Sequence, residues 1–188
     1  MASSKYDIGL DKTAANYQPL SPLSFLRRTA AIYPDHPAVI HGDFRLTYRE
    51  FDDRCRRFAS ALAGRGIAKN DTVATLLANT PPMLEAYYGA PMIGAVLNAI
   101  NTRLSAREIA YILDHGEAQL VIVDSEFAPL LAEALDQCER DPPIVIYEDP
   151  TISVGQNTVL SGADYEAFHS SEGKPYSKSE SPSAKKAS

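Results

Sequence analysis

Arg54, Arg56 and Arg57 crowd one short stretch, and cations gathered this way are the natural place to look for a phosphate-binding surface. Glu50, Asp52 and Asp53 occupy the same stretch at spacings that pair acid with base along a helix, so the expectation is intrahelical ion pairing on a wet face. Two acid pairs, Asp52-Asp53 and Glu148-Asp149, have the residue types for general acid-base work. Neighbours on a helix point apart, however, and both pairs are expected to be solvated. Tyr87-Tyr88 has the surface to line an apolar pocket, but helical spacing with Met83, Leu84 and Met92 favours core packing. Arg103 sits in a loop between Asn101 and Ser105, where strand ends are flanked, and is read as a solvated cation.

Nucleotide chemistry needs a glycine-rich turn whose amides close on phosphate oxygens. Neither G-x-G-x-x-G nor G-x-x-x-x-G-K-[ST] occurs, and Gly64-Arg65-Gly66 reads as a helix terminus. No G-x-S-x-G elbow is present, and neither cysteine has a nearby base to activate it. Cys55 and Cys138, each inside an expected helix, read as buried thiols, without disulfide or zinc spacing. His36, His41, His115 and His169 share no ligand spacing and read as loop or surface residues. No catalytic, cofactor-binding or metal-ligating residue is therefore assigned.

These residues belong to a chain of 188 with 45% hydrophobic content, enough for one core and best suited to one domain. A net charge of -6 provides no electrostatic footprint for nucleic acid or an anionic membrane. No apolar run is long enough to span a bilayer, and MASSKYDIGLDK lacks the order of a signal peptide, so a cytoplasmic protein is expected.

Ser21-Pro22 opens the first helix and Tyr33-Pro34 closes it. Ala38 to Ile40 and Phe44 to Leu46, around Gly42-Asp43, predict a hairpin. Thr47 to Glu50 and Ser105 to Glu108 are capping boxes, each launching a helix. Strands are expected at Thr72 to Leu77, Ala95 to Ile100, Leu120 to Val123 and Ile144 to Tyr147. Between them come a helix capped by Thr80 ahead of Pro81, the helix from Ser105, and one from Asp124 or Ser125 to about Cys138. Apolar strands alternating with helices predict an α/β fold, a mostly parallel sheet with helices on both faces, preceded by a helix and a short hairpin. Such sheets bind ligands at the carboxyl ends of their strands. The expected organisation is a flexible N-terminus at 1–15, the α/β unit at 16–150, and an irregular to disordered tail at 151–188, with at most one helical turn from Asp164 to Phe168.

The run from Asn79-Thr80-Pro81-Pro82 through Glu85 and Gly89 to Gly94-Ala95-Val96-Leu97-Asn98 resembles the early signature of AMP-forming acid-CoA ligases. Asn101-Thr102-Arg103-Leu104, Ile109 to His115 and Leu120 to Asp124 continue it, as in plant acyl-activating enzymes and bacterial fatty-acyl-CoA ligases. Upstream, Asn16 to Pro22 and Leu46 to Phe51 resemble the same subgroup, so the likeness covers about Ala15 to Tyr147. It implies a two-step reaction, carboxylate to acyl-adenylate to acyl-CoA, with ATP, Mg and CoA as the full-length requirements. The family's Ser/Thr/Gly-rich phosphate loop ending in Pro-Lys, its aromatic-Thr-Glu segment, ribose Asp and lid lysine match nothing in this sequence, so no site residue is carried over. Where acetate-activating relatives place arginines for CoA, this chain has Asp124-Ser125-Glu126-Phe127.

The likeness is expected to fade from Ser161 and to be lost from Lys174 to Ser188, as in a truncated product. The functional expectation is thus the N-terminal fragment of a fatty- or aryl-acid-CoA ligase, inactive alone. The alternative is a non-catalytic module that docks on a full-length ligase or another protein through an exposed sheet edge. Lys186-Ala187-Ser188 is not a Ser-Lys-Leu peroxisomal ending, and the substrate acid is not readable.

Overall fold

A computed structural model describes residues 9, 11, 13, 15, 17, 21–152 and 159–170. The flexible segment expected at 1–15 lies mostly outside these residues, and the tail from 171 onward lies wholly outside them.

Helix α1 (Pro22–Ile32) begins where Ser21 accepts a hydrogen bond from the Leu23 amide with Pro22 at the first helical position. Strands β1 (Pro37–His41) and β2 (Phe44–Thr47) form the expected antiparallel hairpin, with His41 opposite Phe44. Helix α2 (Tyr48–Gly64) starts from the Thr47 capping box, in which Glu50 Oε2 accepts from the Thr47 amide at 2.8 Å. It stops at the expected glycines, with Gly66 in the left-handed region.

The sheet comprises β3 (Thr72–Leu76), β4 (Val96–Ala99), β5 (Ala118–Asp124), β6 (Ile144–Tyr147) and β7 (Ala163–Asp164). Their spatial order is β4-β3-β5-β6-β7, and every neighbouring pair is parallel. Between the strands run α3 (Pro81–Met92), α4 (Ala106–His115) and α5 (Ala128–Leu135), and α6 (Tyr165–Ser170) follows β7. The β5 side chains alternate cleanly. Leu120 and Ile122 enter a core with Phe58 and Leu62 of α2, Ala86 of α3 and Phe168 of α6, while Val121 and Val123 enter a second core with Ile109, Leu113 and Leu131 of α4 and α5. Helices therefore cover both faces, as the continuous apolar strands predict. A smaller cluster of Leu26, Val39, Leu46, Phe51 and Cys55 attaches α1 and the hairpin to α2.

Four local expectations are corrected. Thr80 occupies the N-cap of α3 but makes no capping bond through its side chain: Pro81 and Pro82 bring no amide hydrogens, the Met83 amide donates to the Thr80 carbonyl, and Thr80 Oγ1 donates to the Ala78 carbonyl. The helix after β5 is split. Asp124 caps a single 3-10 turn at Ser125–Phe127, then α5 runs only to Leu135 and leaves Cys138 outside it. Order does not fade after Pro150 throughout, since β7 and α6 follow. Finally, the turn expected at Asp164 to Phe168 is a helix that buries Tyr165, Phe168 and His169.

The second capping box is as the sequence predicts: Ser105 Oγ accepts from the Glu108 amide, and Glu108 Oε2 accepts from the Ser105 amide at 2.8 Å. Ser105→Ala should lower stability by about 1 kcal/mol, read as a shift of the urea midpoint at unchanged slope, while Ser105→Gly should cost only a few tenths.

Candidate functional site

Counted along the chain, the sheet order is 2-1-3-4-5, and its direction of progression reverses between β3 and β5. The helix after β3 covers one face while α4 and α5 cover the other, so the segments leaving β3 and β5 diverge. That divergence opens the crevice in which sheets of this order bind ligands. Asn79 and Thr80 flank it from β3, and Asp124 and Ser125 flank it from β5; Asn79 is exposed while the other three are buried.

Asp124 is the chemically unusual group of this edge. It is 1% exposed, its Oδ1 accepts from the Glu126 amide at 3.1 Å, and its Oδ2 has no hydrogen-bond partner among the described residues. Burial pushes its carboxyl above the usual range, and the charges of Asp149 and Glu126 add to this against the amide bond. A raised value means that the ionised form is penalised by folding, and the penalty is present once pH exceeds the unfolded value near ~3.9. Asp124→Asn should therefore raise stability at pH 7 by about 1 kcal/mol, or about 2–4 °C in Tm. The gain should shrink as pH is lowered toward ~4, and thermal scans across pH would check both points.

Asp149, at the carboxyl end of the neighbouring strand, is not solvated as expected. It is 6% exposed, both its oxygens lie 2.9–3.0 Å from His41 Nε2, and Oδ1 also accepts from the amide and hydroxyl of Thr151. Burial would raise its carboxyl, but the His41 and Thr151 hydrogen bonds outweigh that and hold it low. This cluster ties the tip of the hairpin to the sheet edge, so His41 is a structural partner and not a free loop histidine. Glu148 is exposed, as expected.

The arginine cluster divides. Arg56 pairs with Asp52 at 2.7 Å and Arg57 with Asp53 at 2.8 Å, the expected pairs one helical turn apart. Arg54 instead leaves α2. It donates to Glu85 of α3, which is 0% exposed, and to Glu166 of α6 at 2.7 Å. Glu85 also accepts from Tyr165 Oη at 2.7 Å and from His169 Nε2 at 3.0 Å. Burial alone would raise the Glu85 carboxyl, but the His169 and Arg54 interactions hold it below the usual range. His169, read as a loop or surface residue, is instead 3% exposed, with Glu85 as the partner that makes its burial tolerable, and Glu85 itself was not singled out. The available signal was that Glu85 is the one charged residue of an otherwise apolar helix.

The remaining candidates are dispersed. Tyr87 is exposed and Tyr88 half-buried edge-on against Phe51, so the pair does not enter the main core. Arg103 is exposed, as expected. His115 stacks on Tyr111 with ring centroids 5.3 Å apart. Cys55 is fully buried, with burial pushing its thiol up, while Cys138 is half-buried. Among the described residues, no group of three or more His, Cys, Asp or Glu is arranged to hold a metal.

The comparisons agree with this architecture. In solved structures the fold is matched by a benzoate CoA ligase from Burkholderia xenovorans LB400, with TM-score 0.69 and 23% identity over 82% of this chain and 29% of that one. A fatty acyl CoA synthetase of Mycobacterium tuberculosis matches with TM-score 0.60 and 28% identity over 78% of this chain and 26% of that one. Among relatives, the peroxisomal acetate/butyrate-CoA ligase AAE7 of Arabidopsis thaliana is 43% identical over 160 residues, 84% of this chain and 28% of that protein. Acetate-CoA ligase CCL3 of Humulus lupulus is 47% identical over 143 residues, 73% of this chain and 25% of that protein. The chain thus spans about a quarter of the length of these relatives. The profile of the AMP-binding enzyme family matches residues 26–185, carrying the likeness past Ser161 and Lys174, where it was expected to fade and end. With the parallel sheet, its two helical layers and that match in agreement, the chain belongs to the AMP-binding enzyme family.

Proposed function

We infer that this chain is the N-terminal α/β subdomain of an acid-CoA ligase. The whole protein would convert a carboxylic acid, fatty or aryl, through an acyl-adenylate to its CoA thioester, consuming ATP with Mg and then CoA. The observation that carries this reading is the family match over residues 26–185, which takes in the whole sheet. What the subdomain supplies is the wall: a rigid parallel sheet whose carboxyl edge, with Asn79, Asp124 and Asp149, faces the side on which such sheets bind ligands. The sequence contains neither a glycine-rich phosphate loop nor a lid lysine at a matching motif, so positioning and charge neutralisation of the triphosphate would fall to other segments. No helix among the described residues is long and apolar enough to cross a membrane, and the cytoplasm is our proposed location.

Calorimetric titration of the folded chain with ATP-Mg and then CoA tests the reading. No saturable heat is expected from either ligand, and one-to-one ATP binding would overturn the claim that this part lacks the nucleotide site. A second reading, a docking module, is favoured by one feature. Among the described residues, strand β4 forms one of the two edges of the sheet and leaves Val96 49% exposed there. Co-sedimentation of the chain with a full-length acid-CoA ligase, weakened by Val96→Lys, would support that reading over the first.

A further inference from the structure

Residues 159–170 are fastened to the protein differently from every element before them. Strand β7 adds only Ala163 and Asp164 to the sheet, both exposed, opposite Val145 and Ile146. Helix α6 has six residues, too few to be stable by itself. Side chains must therefore hold it. Tyr165 and Phe168 are buried against Phe58 of α2, and Tyr165 also meets Tyr147 of β6 edge-on at 5.7 Å. Arg65 lies over the Phe168 ring at 4.1 Å.

The polar part of this attachment is divided between the two sides. Glu85 and Arg54 stand on the body, while Tyr165, Glu166 and His169 arrive with α6. The groups acting on Glu85 are Arg54 and Cys55 from α2, Tyr147 from β6, and Tyr165 and His169 from α6, with Glu166 reaching it through Arg54. Without α6, the Glu85 carboxylate would keep Arg54 as its one charged partner and lose two of its donors. An open cleft of about 270 Å³ lies beside the cluster, lined by Arg54 and Arg57 from the body and by Glu166, His169 and Ser170 from α6, so it exists only while α6 is seated.

We propose that residues 159–170 form a detachable strap and that Glu85 is its catch. The strap opens and closes as a unit on a sheet that stays folded, and the Glu85 carboxylate, by collecting donors from both sides, sets the closed fraction. Opening uncovers the aromatic floor of Phe58 and Tyr147. The proposal goes beyond the ligase reading and does not depend on it.

Hydrogen exchange of the full 188-residue chain, read by mass spectrometry at neutral pH, tests this. Glu85→Gln keeps the shape of the side chain and removes its charge. It should accelerate exchange at 163–170 by about ten-fold or more, while β3 and β5, whose unfolding starts from the same closed state, accelerate by no larger a factor and stay slower than 163–170 in both proteins. Tyr165→Phe keeps the ring in place and deletes one donor, and should accelerate the same amides by a smaller factor. Protection at 163–170 equal to that of β3 and β5 in the wild type would overturn the proposal, since α6 would then open only with the core; so would unchanged exchange at 163–170 in Glu85→Gln. Should Glu85→Gln fail to fold, Tyr165→Phe and His169→Gln decide the question by the same regional comparison.

Discussion

Glu85→Ala should lower the unfolding free energy by about 3–5 kcal/mol, a large share of the ~5–15 kcal/mol typical of a domain. The loss does not measure the strength of one ion pair. Truncation leaves the buried Tyr165 Oη and His169 Nε2 without their acceptor and leaves Arg54 with Glu166 alone. The pH dependence follows from the depressed carboxyl. A carboxyl held below its usual value contributes stability above the unfolded pKa of ~4.3, and that contribution is lost as pH falls through the lower folded value. The difference between wild type and Glu85→Ala should therefore be flat from about pH 6 to 8 and shrink below about pH 4. Urea denaturation at pH 7 and pH 4 measures both; a difference that grew on acidification would contradict this account.

Phe58→Ala should cost a similar amount, about 3–5 kcal/mol, because this fully buried ring contacts Tyr165, Phe168 and His169 and fills the space over Gly89. Gly89 is why α2 and α3 can approach so closely. A β-carbon there would stand 2.4 Å from Phe58 Cδ1 and 2.9 Å from the Cys55 carbonyl oxygen. Alanine is the better helix former by about 1 kcal/mol, but overpacking of this kind costs about 1–3 kcal/mol, so Gly89→Ala should destabilise on balance. The two substitutions should also be less than additive. Removing the Phe58 ring clears the shorter contact and leaves the carbonyl one, so Gly89→Ala should cost less in the Phe58→Ala background. A double-mutant cycle by chemical denaturation reads the coupling, and strict additivity would show that the ring is not what forbids the β-carbon.

The features legible in the sequence are those fixed by neighbours in the chain. Thr47 with Glu50 and Ser105 with Glu108 are reciprocal capping pairs three residues apart, and both form as read. Arg56 with Asp52 and Arg57 with Asp53 need only one helical turn to meet. The central strands carry apolar residues without a polar face, which forces cover on both sides and hence a parallel sheet. Even the short α6 was foreshadowed as a helical turn at Asp164 to Phe168, though its burial was not.

The misread charged and histidine residues take their meaning from partners far along the chain. Arg54 lies in the same stretch as Arg56 and Arg57, yet it faces α3 and finds Glu85 across 31 residues and Glu166 across 112. His41 and Asp149 are separated by 108 positions, and His169 and Glu85 by 84. Composition assigns such groups to the surface, since isolated charges avoid burial; only partners supplied by distant elements make their burial tolerable. The sequence by itself therefore determined most of the elements, the two capping boxes, the parallel sheet and the family resemblance, because each follows from local periodicity or a long continuous pattern. Tertiary structure alone decided the order β4-β3-β5-β6-β7, the crevice it opens beside Asp124, and the gathering of Arg54, Glu85, Tyr165 and His169, because these depend on which elements lie side by side once the apolar faces are buried.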